Sequence, residues 1–384
     1  MATIDHAILV AIAKYRDHSH YPDLEGPLND YKRFHGWLVD KNGGDVPQEN
    51  IHFVVTNENL AKLPNPRPGN AADVAWEPSK KAFTTALEKL IQDPDSGEYV
   101  VREGARLYMY FAGHGFSSDS ESMQSAALVP ADVFGSQMDD IPGTVYMEGI
   151  RKMALYSEIV LIMDCCRTLM RTGTYSPNIF RANTSDNQEN VRVLSAYAVP
   201  KDGSAQERVL PDAGNVPVGL LTHSFLRALK EVPPDILGRV SDNSLGLFLA
   251  NHWKKWYPDD NAPPQPRIYP PPFAQNRIFF KSGRPLIEQT FSMLPPQGED
   301  FEFELFTDSK NLPRIRANVV DAVVRWQRGG DNSQSIDVPL STVGTDGRRT
   351  FTLLLLPEQY RIDFGLISPT PMLAFLPGDK RVDL

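Results

Sequence analysis

Two residue types that can share a proton, a histidine and a cysteine, each stand at the end of an unbroken apolar run in this chain. One run reads Arg106-Leu107-Tyr108-Met109-Tyr110-Phe111-Ala112-Gly113-His114-Gly115. The other reads Glu158-Ile159-Val160-Leu161-Ile162-Met163-Asp164-Cys165-Cys166-Arg167. Short continuous apolar runs are the mark of strands buried on both faces of a parallel sheet. In open α/β sheets chemistry collects just beyond the carboxyl ends of the strands. A His on a glycine turn at one strand end and a Cys at another meet what a thiol nucleophile and its proton-transfer partner require.

The elements that must position these residues alternate. Residues 6–14 read as a first strand, and Phe34, Trp37 and Leu38 share one face of a helix that follows Gly26-Pro27-Leu28-Asn29-Asp30. Ile51 to Val55 reads as a second strand. Lys80 to Ile91 carries a helical stripe of Phe83, Leu87, Leu90 and Ile91. After the His114 strand come a short extended piece at 126–132, a helix near 144–157 and the Cys166 strand. Val191 to Tyr197 reads as a strand, Leu220 to Leu229 as a helix and Arg277 to Phe280 as a last strand. Strands alternating with helices imply a mainly parallel sheet with helices on both faces. Residues 62–70 read as loop, and 168–190, polar and turn-rich, as a mobile loop.

From about residue 299 the pattern changes. Phe301 to Leu305 alternates with period two, and two strands flank Pro357-Glu358-Gln359. No helical stripe is convincing there, so a small all-β, β-sandwich-like domain is expected. The expected organisation is an α/β domain over 1–282, a proline-rich linker over 283–298 and the β domain over 299–384.

Composition narrows the partners. The chain has 384 residues, 41% hydrophobic and 23% charged, as in soluble globular proteins. A formal net charge of −9 argues against a polyanion such as nucleic acid as primary partner. No apolar stretch reaches the ~18 residues of a spanning helix, and the first residues lack the basic start of a secretion signal. The two cysteines are adjacent, which suits reduced thiols, so no membrane and a cytoplasmic setting are expected.

Five motifs in order resemble those of the caspase and metacaspase superfamily of cysteine peptidases. Tyr110-Phe111-Ala112-Gly113-His114-Gly115 resembles a stretch ending Ser-Gly-His-Gly, with Ala112 at the Ser position. Asp164-Cys165-Cys166-Arg167 resembles Asp-Ser-Cys-His, with Cys165 at the Ser and Arg167 at the His. Gly26-Pro27-Leu28-Asn29-Asp30 resembles Gly-Cys-Ile-Asn-Asp, Leu128-Val129-Pro130-Ala131-Asp132 resembles Leu-x-Pro-x-Asp, and Gly219 to Phe225 resembles Gly-x-Leu-Thr-x-x-Phe. His114 precedes Cys166 by 52 positions (166 − 114), near the roughly 50 of caspases. The resemblance covers about residues 4–282.

The resemblance implies Cys166 as nucleophile, His114 as its proton partner, and the backbone N–H groups of Gly115 and Cys166 as oxyanion donors. Side chains alternate along a strand, so Cys165 faces away from His114 and is expected to be a packed thiol. Metacaspases place acidic residues at the positions of Asp30 and Asp164, forming a pocket for the residue before the cut bond. Two carboxylates there select Arg or Lys. The bland alternatives are that Asp30 caps its helix and that Asp164 merely orients its neighbours. The activity implied is an endopeptidase that cuts proteins after Arg or Lys, regulated by cleavage of a mobile loop or by a partner.

Arg171 and Arg181 are possible activation cleavage sites, and an ordinary exposed loop is the alternative. No metal or cofactor is expected. Some metacaspases need calcium, but Asp119, Glu121, Asp139 and Asp140 show no ligand spacing. His18, His20 and His223 read as solvated or packing residues. The β domain is a candidate protein-partner site by analogy alone. Ala112, Arg167 and the missing Gly after the nucleophile support the other reading, a catalytically inactive scaffold or binding module.

Overall fold

The computed structural model describes residues 4–57, 75–118, 125–135, 139–170, 184–258, 263–271, 277–284 and 286–293. Beyond these it describes 301–307, 315–320, 323–328, 335–343, 348–357, 359–363, 373–375, 377–378 and 382–383. The chain divides into two compact units: residues 1–229 with 241–280, and residues 230–240 with 281–384.

The first unit is built on a six-stranded sheet. Five parallel strands lie in the order β8 (Arg192–Tyr197), β6 (Tyr156–Cys165), β3 (Arg102–Gly113), β1 (His6–Ala11) and β2 (Ile51–Val55). Arg267–Tyr269 adds an antiparallel edge beside β8. The chain runs outward from β1 to β2, then returns to place β3 on the other side of β1. That reversal puts a crevice at the carboxyl ends of β1 and β3.

Alternation along β3 decides which helix meets which face. Tyr110 stacks on Phe34 at 4.7 Å between ring centroids, and Tyr108 meets Trp37 edge-on at 5.7 Å. Both partners lie on the helix Gly26–Val39, and the helix Leu220–Glu231 joins that face through Thr222, whose hydroxyl is 2.9 Å from the Tyr110 hydroxyl. Phe111 points the other way, to Phe83 on the helix Lys80–Ile91, and Phe83 meets Tyr146 of the helix Gly143–Lys152. Each such aromatic contributes ~1.5–3 kcal/mol by leaving water. Ser79 caps the helix Lys80–Ile91 by accepting from the Ala82 N–H at 3.2 Å. The expected helix near 144–157 ends at Lys152, because Tyr156 already belongs to β6.

Other parts of this unit go beyond what the sequence reading gave. The helix Asp242–Trp256 buries Leu245, Leu249 and Trp253, with Ser241 as its cap. A short hairpin pairs β9 (Glu207–Leu210) with β10 (Val216–Gly219). A three-stranded patch joins β5 (Ala127–Leu128), β4 (Gly115–Ser118) and β7 (Thr168–Met170). The loop expected over 168–190 therefore opens on a strand and closes on a 3-10 turn at Asp186–Asn190.

The second unit is all-β. Strands Ser341–Val343, Arg348–Leu355, Ile287–Met293 and Val382–Asp383 form one sheet. Ser335–Pro339, Val323–Arg328, Ile315–Val320, Phe301–Thr307, Tyr360–Asp363 and Leu373–Phe375 form the other. Phe291, Phe351 and Leu353 from the first share one core with Leu305, Trp326 and Ile362 from the second, as in a sandwich. The strands flanking residues 357–359 do not pair with each other; the turn carries the chain from one sheet to the other. Strand Ile287–Met293 lies inside the segment read as a linker.

Candidate active site

His114 leaves β3 and Cys166 leaves β6, and strand register sets their level. Gly113 pairs with Cys165 and Phe116 with Thr168, so one offset holds on both sides of the pair and places His114 level with Cys166. Neither residue is fully buried, whereas Cys165 is 1% exposed and packs in the core. A Cβ on Gly115 would lie 2.7 Å from the Cys165 sulfur and 2.7 Å from the Ala127 carbonyl oxygen. The glycine after His114 thus makes room for the protein's own packing.

The His114 ring is held by backbone and aromatic groups. Its Nε2 is 2.7 Å from the Pro22 carbonyl oxygen. A carbonyl only accepts, so Nε2 carries the proton and Nδ1 of the neutral ring is the basic nitrogen. Burial pushes the imidazole below its usual range, opposed by the Pro22 carbonyl and the Asp23 charge. Tyr15 and Tyr21 lie 4.9 and 5.8 Å from the ring, centroid to centroid. Lys14 pairs with Asp23 at 2.9 Å, and Asp17 accepts from Ser19 at 2.6 Å and from the Gly135 N–H at 3.2 Å. These contacts brace the loop that presents Pro22. His20, 3.0 Å from Asp17, belongs to the same brace.

The Cys166 sulfur meets the backbone of Ala205, accepting from its N–H at 3.2 Å, with the carbonyl oxygen 3.9 Å away. Burial pushes the thiol up, opposed by the Ala205 contact. Both shifts favour the uncharged forms, thiol and imidazole.

Arg167 explains how Ala205 reaches the sulfur. Its side chain is fully buried, with Nε 3.0 Å from the Ser125 carbonyl, a terminal nitrogen 3.2 Å from the Val199 carbonyl and the guanidinium 4.4 Å over the Tyr197 ring. Its backbone N–H donates to Gly203 and its carbonyl accepts from Asp202, both at 2.8 Å. The residue after the cysteine, a departure from the metacaspase motif, anchors the segment leading to Ala205.

Asp30 and Asp164 come together. Asp30 sits in the second turn of its helix, past the cap position, and accepts from the Gly219 N–H at 2.6 Å. Asp164 accepts from the Thr222 hydroxyl at 2.6 Å and its N–H at 2.9 Å. A Cβ on Gly219 would strike Asp164 and lie 2.8 Å from the same Asp30 oxygen, so both carboxylates crowd one backbone position. The second Asp30 oxygen is buried with no hydrogen-bond partner among the described residues. Burial, then the Asp164 charge, pushes the Asp30 carboxyl well above its usual range, and burial raises Asp164 too.

A third acid, Glu207, escaped the sequence reading. It opens β9, and a Cβ on Gly26 would lie 2.7 Å from its carboxylate. Burial raises its carboxyl, opposed by hydrogen bonds from the Gly26 and Glu25 backbone. Glu25 makes no side-chain cap, so Glu207 serves the helix start from outside. Asn29 donates to the Pro217 carbonyl at 2.8 Å, and buried His223 lies 3.0 Å from Arg33 and 3.2 Å from Asp212. The β9–β10 hairpin is thereby fastened to the helix that carries Asp30. The signal available in the sequence was a glycine-bearing turn, Gly214-Asn215, between two short alternating segments.

Arg171 and Arg181 lie outside the described residues, as do Asp119, Glu121 and the loop at 62–70. Asp139 and Asp140 face Lys80 at 2.9 and 3.4 Å. Among the described residues, no group of three His, Cys, Asp or Glu side chains could hold a metal ion. No described helix is long and apolar enough to cross a membrane.

The parallel sheet thus carries a histidine and a cysteine level with one another on adjacent strand ends. The caspase-domain family model matches residues 4–242, and the chain belongs to that family of cysteine peptidases. No curated protein matches the chain.

Proposed function

We propose that the chain is a cysteine endopeptidase that cuts proteins after Arg or Lys through Cys166 and His114. The observation that carries the specificity is the Asp30 oxygen left buried and unpartnered beside a second carboxylate. Such an oxygen normally finds a partner, and a cationic side chain supplies one.

The residues divide the work as follows. An Arg or Lys side chain enters between Asp30 and Asp164, which neutralise it. Glu207, at the hairpin's first residue, adds negative charge to the same region. The bound carbonyl then faces Cys166. The thiol gives its proton to His114 Nδ1 as sulfur bonds to the carbonyl carbon. Pro22 stabilises the resulting imidazolium through Nε2–H. The N–H groups of Gly115 and Cys166 take the oxyanion. His114 returns the proton to the leaving amine, and water attacks the acyl-enzyme in the second half. Cleavage at Arg171 or Arg181 is the regulatory step this specificity allows. The β unit is the candidate partner-binding part.

Replacing Cys166 by Ala is expected to abolish cleavage of an Arg-containing peptide, while Cys165→Ala keeps much of it. Equal loss in both variants removes the assignment. One observation favours a second reading, an inactive scaffold: the thiol is raised by burial and bonded to Ala205. Selective labelling of Cys166 by a thiol-directed peptide reagent supports the enzyme, and its failure supports the scaffold.

A further inference from the structure

Tyr15 follows β1 by four residues and is 1% exposed. A buried tyrosine needs a partner for its hydroxyl, and this one has partners on two different strand ends. It donates to the Ile12 carbonyl at 3.1 Å, just past β1, and accepts from the His114 N–H at 2.7 Å, just past β3. One oxygen atom therefore ties the backbone of His114 to the neighbouring strand. The ring of the same residue lies 4.9 Å from the imidazole and 6.0 Å from Tyr21, so the three rings form one cluster.

Gly113 provides the space. A Cβ there would stand 2.7 Å from the Tyr15 hydroxyl and 3.0 Å from the Ile12 carbonyl, and its φ of 149° is one that side-chain-bearing residues rarely adopt. The turn that delivers His114 is thus shaped around the phenol. Pro22 holds the far end of the ring through Nε2, while Tyr15 holds the main chain from which the ring hangs. With both ends fixed, Nδ1 has one direction left. The charged and titratable groups around the imidazole are Asp23 and Tyr21 on the Pro22 loop, Tyr15 itself, and Cys166, level with His114 in register.

We propose that Tyr15 is a positioning residue for His114, setting through its hydroxyl the direction in which the imidazole meets the thiol. The inference rests on reading Cys166 and His114 as the reacting pair. A phenol that only fills the core would affect folding and leave proton transfer alone, and that difference is measurable.

Tyr15→Phe removes one oxygen atom and keeps the ring. On an Arg-containing peptide, kcat is expected to fall about tenfold with KM held within about twofold, since small misplacements of a reacting group are costly. The acid limb of kcat/KM is expected to move upward, toward the ordinary imidazole range, because a looser ring meets more water. The His114 imidazole titration, followed by NMR without substrate, is expected to move the same way. A wild-type kcat with an unmoved acid limb overturns the inference. So does a loss carried by KM alone, or by a lowered melting temperature with the pH profile unchanged. His114→Ala and Cys166→Ala, assayed alongside, separate this inference from its premise. If either keeps full activity, the reacting pair is wrong and the inference falls with it. If both are inactive while Tyr15→Phe behaves as wild type, only the role of Tyr15 is lost.

Discussion

The His114 turn and the acidic floor at Gly219 lie in one domain and are built on opposite principles. Around His114 the partners are a main-chain carbonyl, a main-chain N–H bound by a phenol, and two aromatic rings. These groups are neutral and satisfied, and they hold the ring without opposing the fold. At the floor, two buried carboxylates crowd one glycine, and one of their oxygens has no partner. Burial raises both carboxyls there, so their charged forms oppose folding, and the proposed function gives that charge a cationic side chain to meet. On the proposed function, the difference makes proton transfer and specificity separable: the first would be prepared by geometry before substrate arrives, and the second would be charge left uncompensated until it does.

The largest expected effect that would sharpen this comparison is on the histidine side. His114→Ala should lower kcat by about 10²–10⁴-fold and leave KM for an Arg peptide nearly unchanged. A change carried mainly by KM would merge the two regions into one function. On the acidic side, Asp30→Asn or Asp164→Asn should cost about a hundredfold in kcat/KM on Arg or Lys peptides, the size of a lost charge-assisted contact. An unchanged preference among peptides would detach the floor from specificity.

A smaller effect follows from pH. Both floor carboxyls are raised, so they protonate at a higher pH than ordinary aspartates. A neutral acid does not hold a guanidinium. KM for an Arg peptide should therefore rise as pH falls through that raised range, before ordinary carboxylates titrate. Steady-state kinetics with a neutral-residue peptide as reference checks this.

The smallest effect is on stability. An acid raised in the folded state favours folding when protonated, below its unfolded value, and that contribution is lost as pH rises through the folded value. At neutral pH the Asp30 charge is thus a burden on the fold, and Asp30→Asn should melt about 2–4 °C higher while cutting poorly. A lower melting temperature would mean that the carboxylate holds Gly219 more than it resists burial.

The sequence makes the strand ends that carry His114 and Cys166 more legible than the floor. β3 and β6 are continuous apolar runs, and a run of that kind admits few other readings; the helices Gly26–Val39 and Lys80–Ile91 show their stripes openly. Asp30 and Asp164 were reachable only through a resemblance, since 134 positions (164 − 30) separate them and nothing local says they meet. Glu207 was out of reach because its meaning lies in Gly26, far away in the chain, and because β9 is four residues long. Tyr15 reads as one more core aromatic until its hydroxyl is seen between two strands. The helix Asp242–Trp256 was legible in Leu245, Leu249 and Trp253 at four-residue spacing and went unread.

Arginine and citrulline differ by one charged group and little in shape, so they isolate the claim on which the rest depends. Two peptides alike except for Arg or citrulline before the cut bond should be offered to the wild-type protein and to Cys166→Ala. The account predicts cleavage after Arg alone, by the wild type alone. Equal cleavage of both peptides by the wild type, or any cleavage by Cys166→Ala, would contradict it.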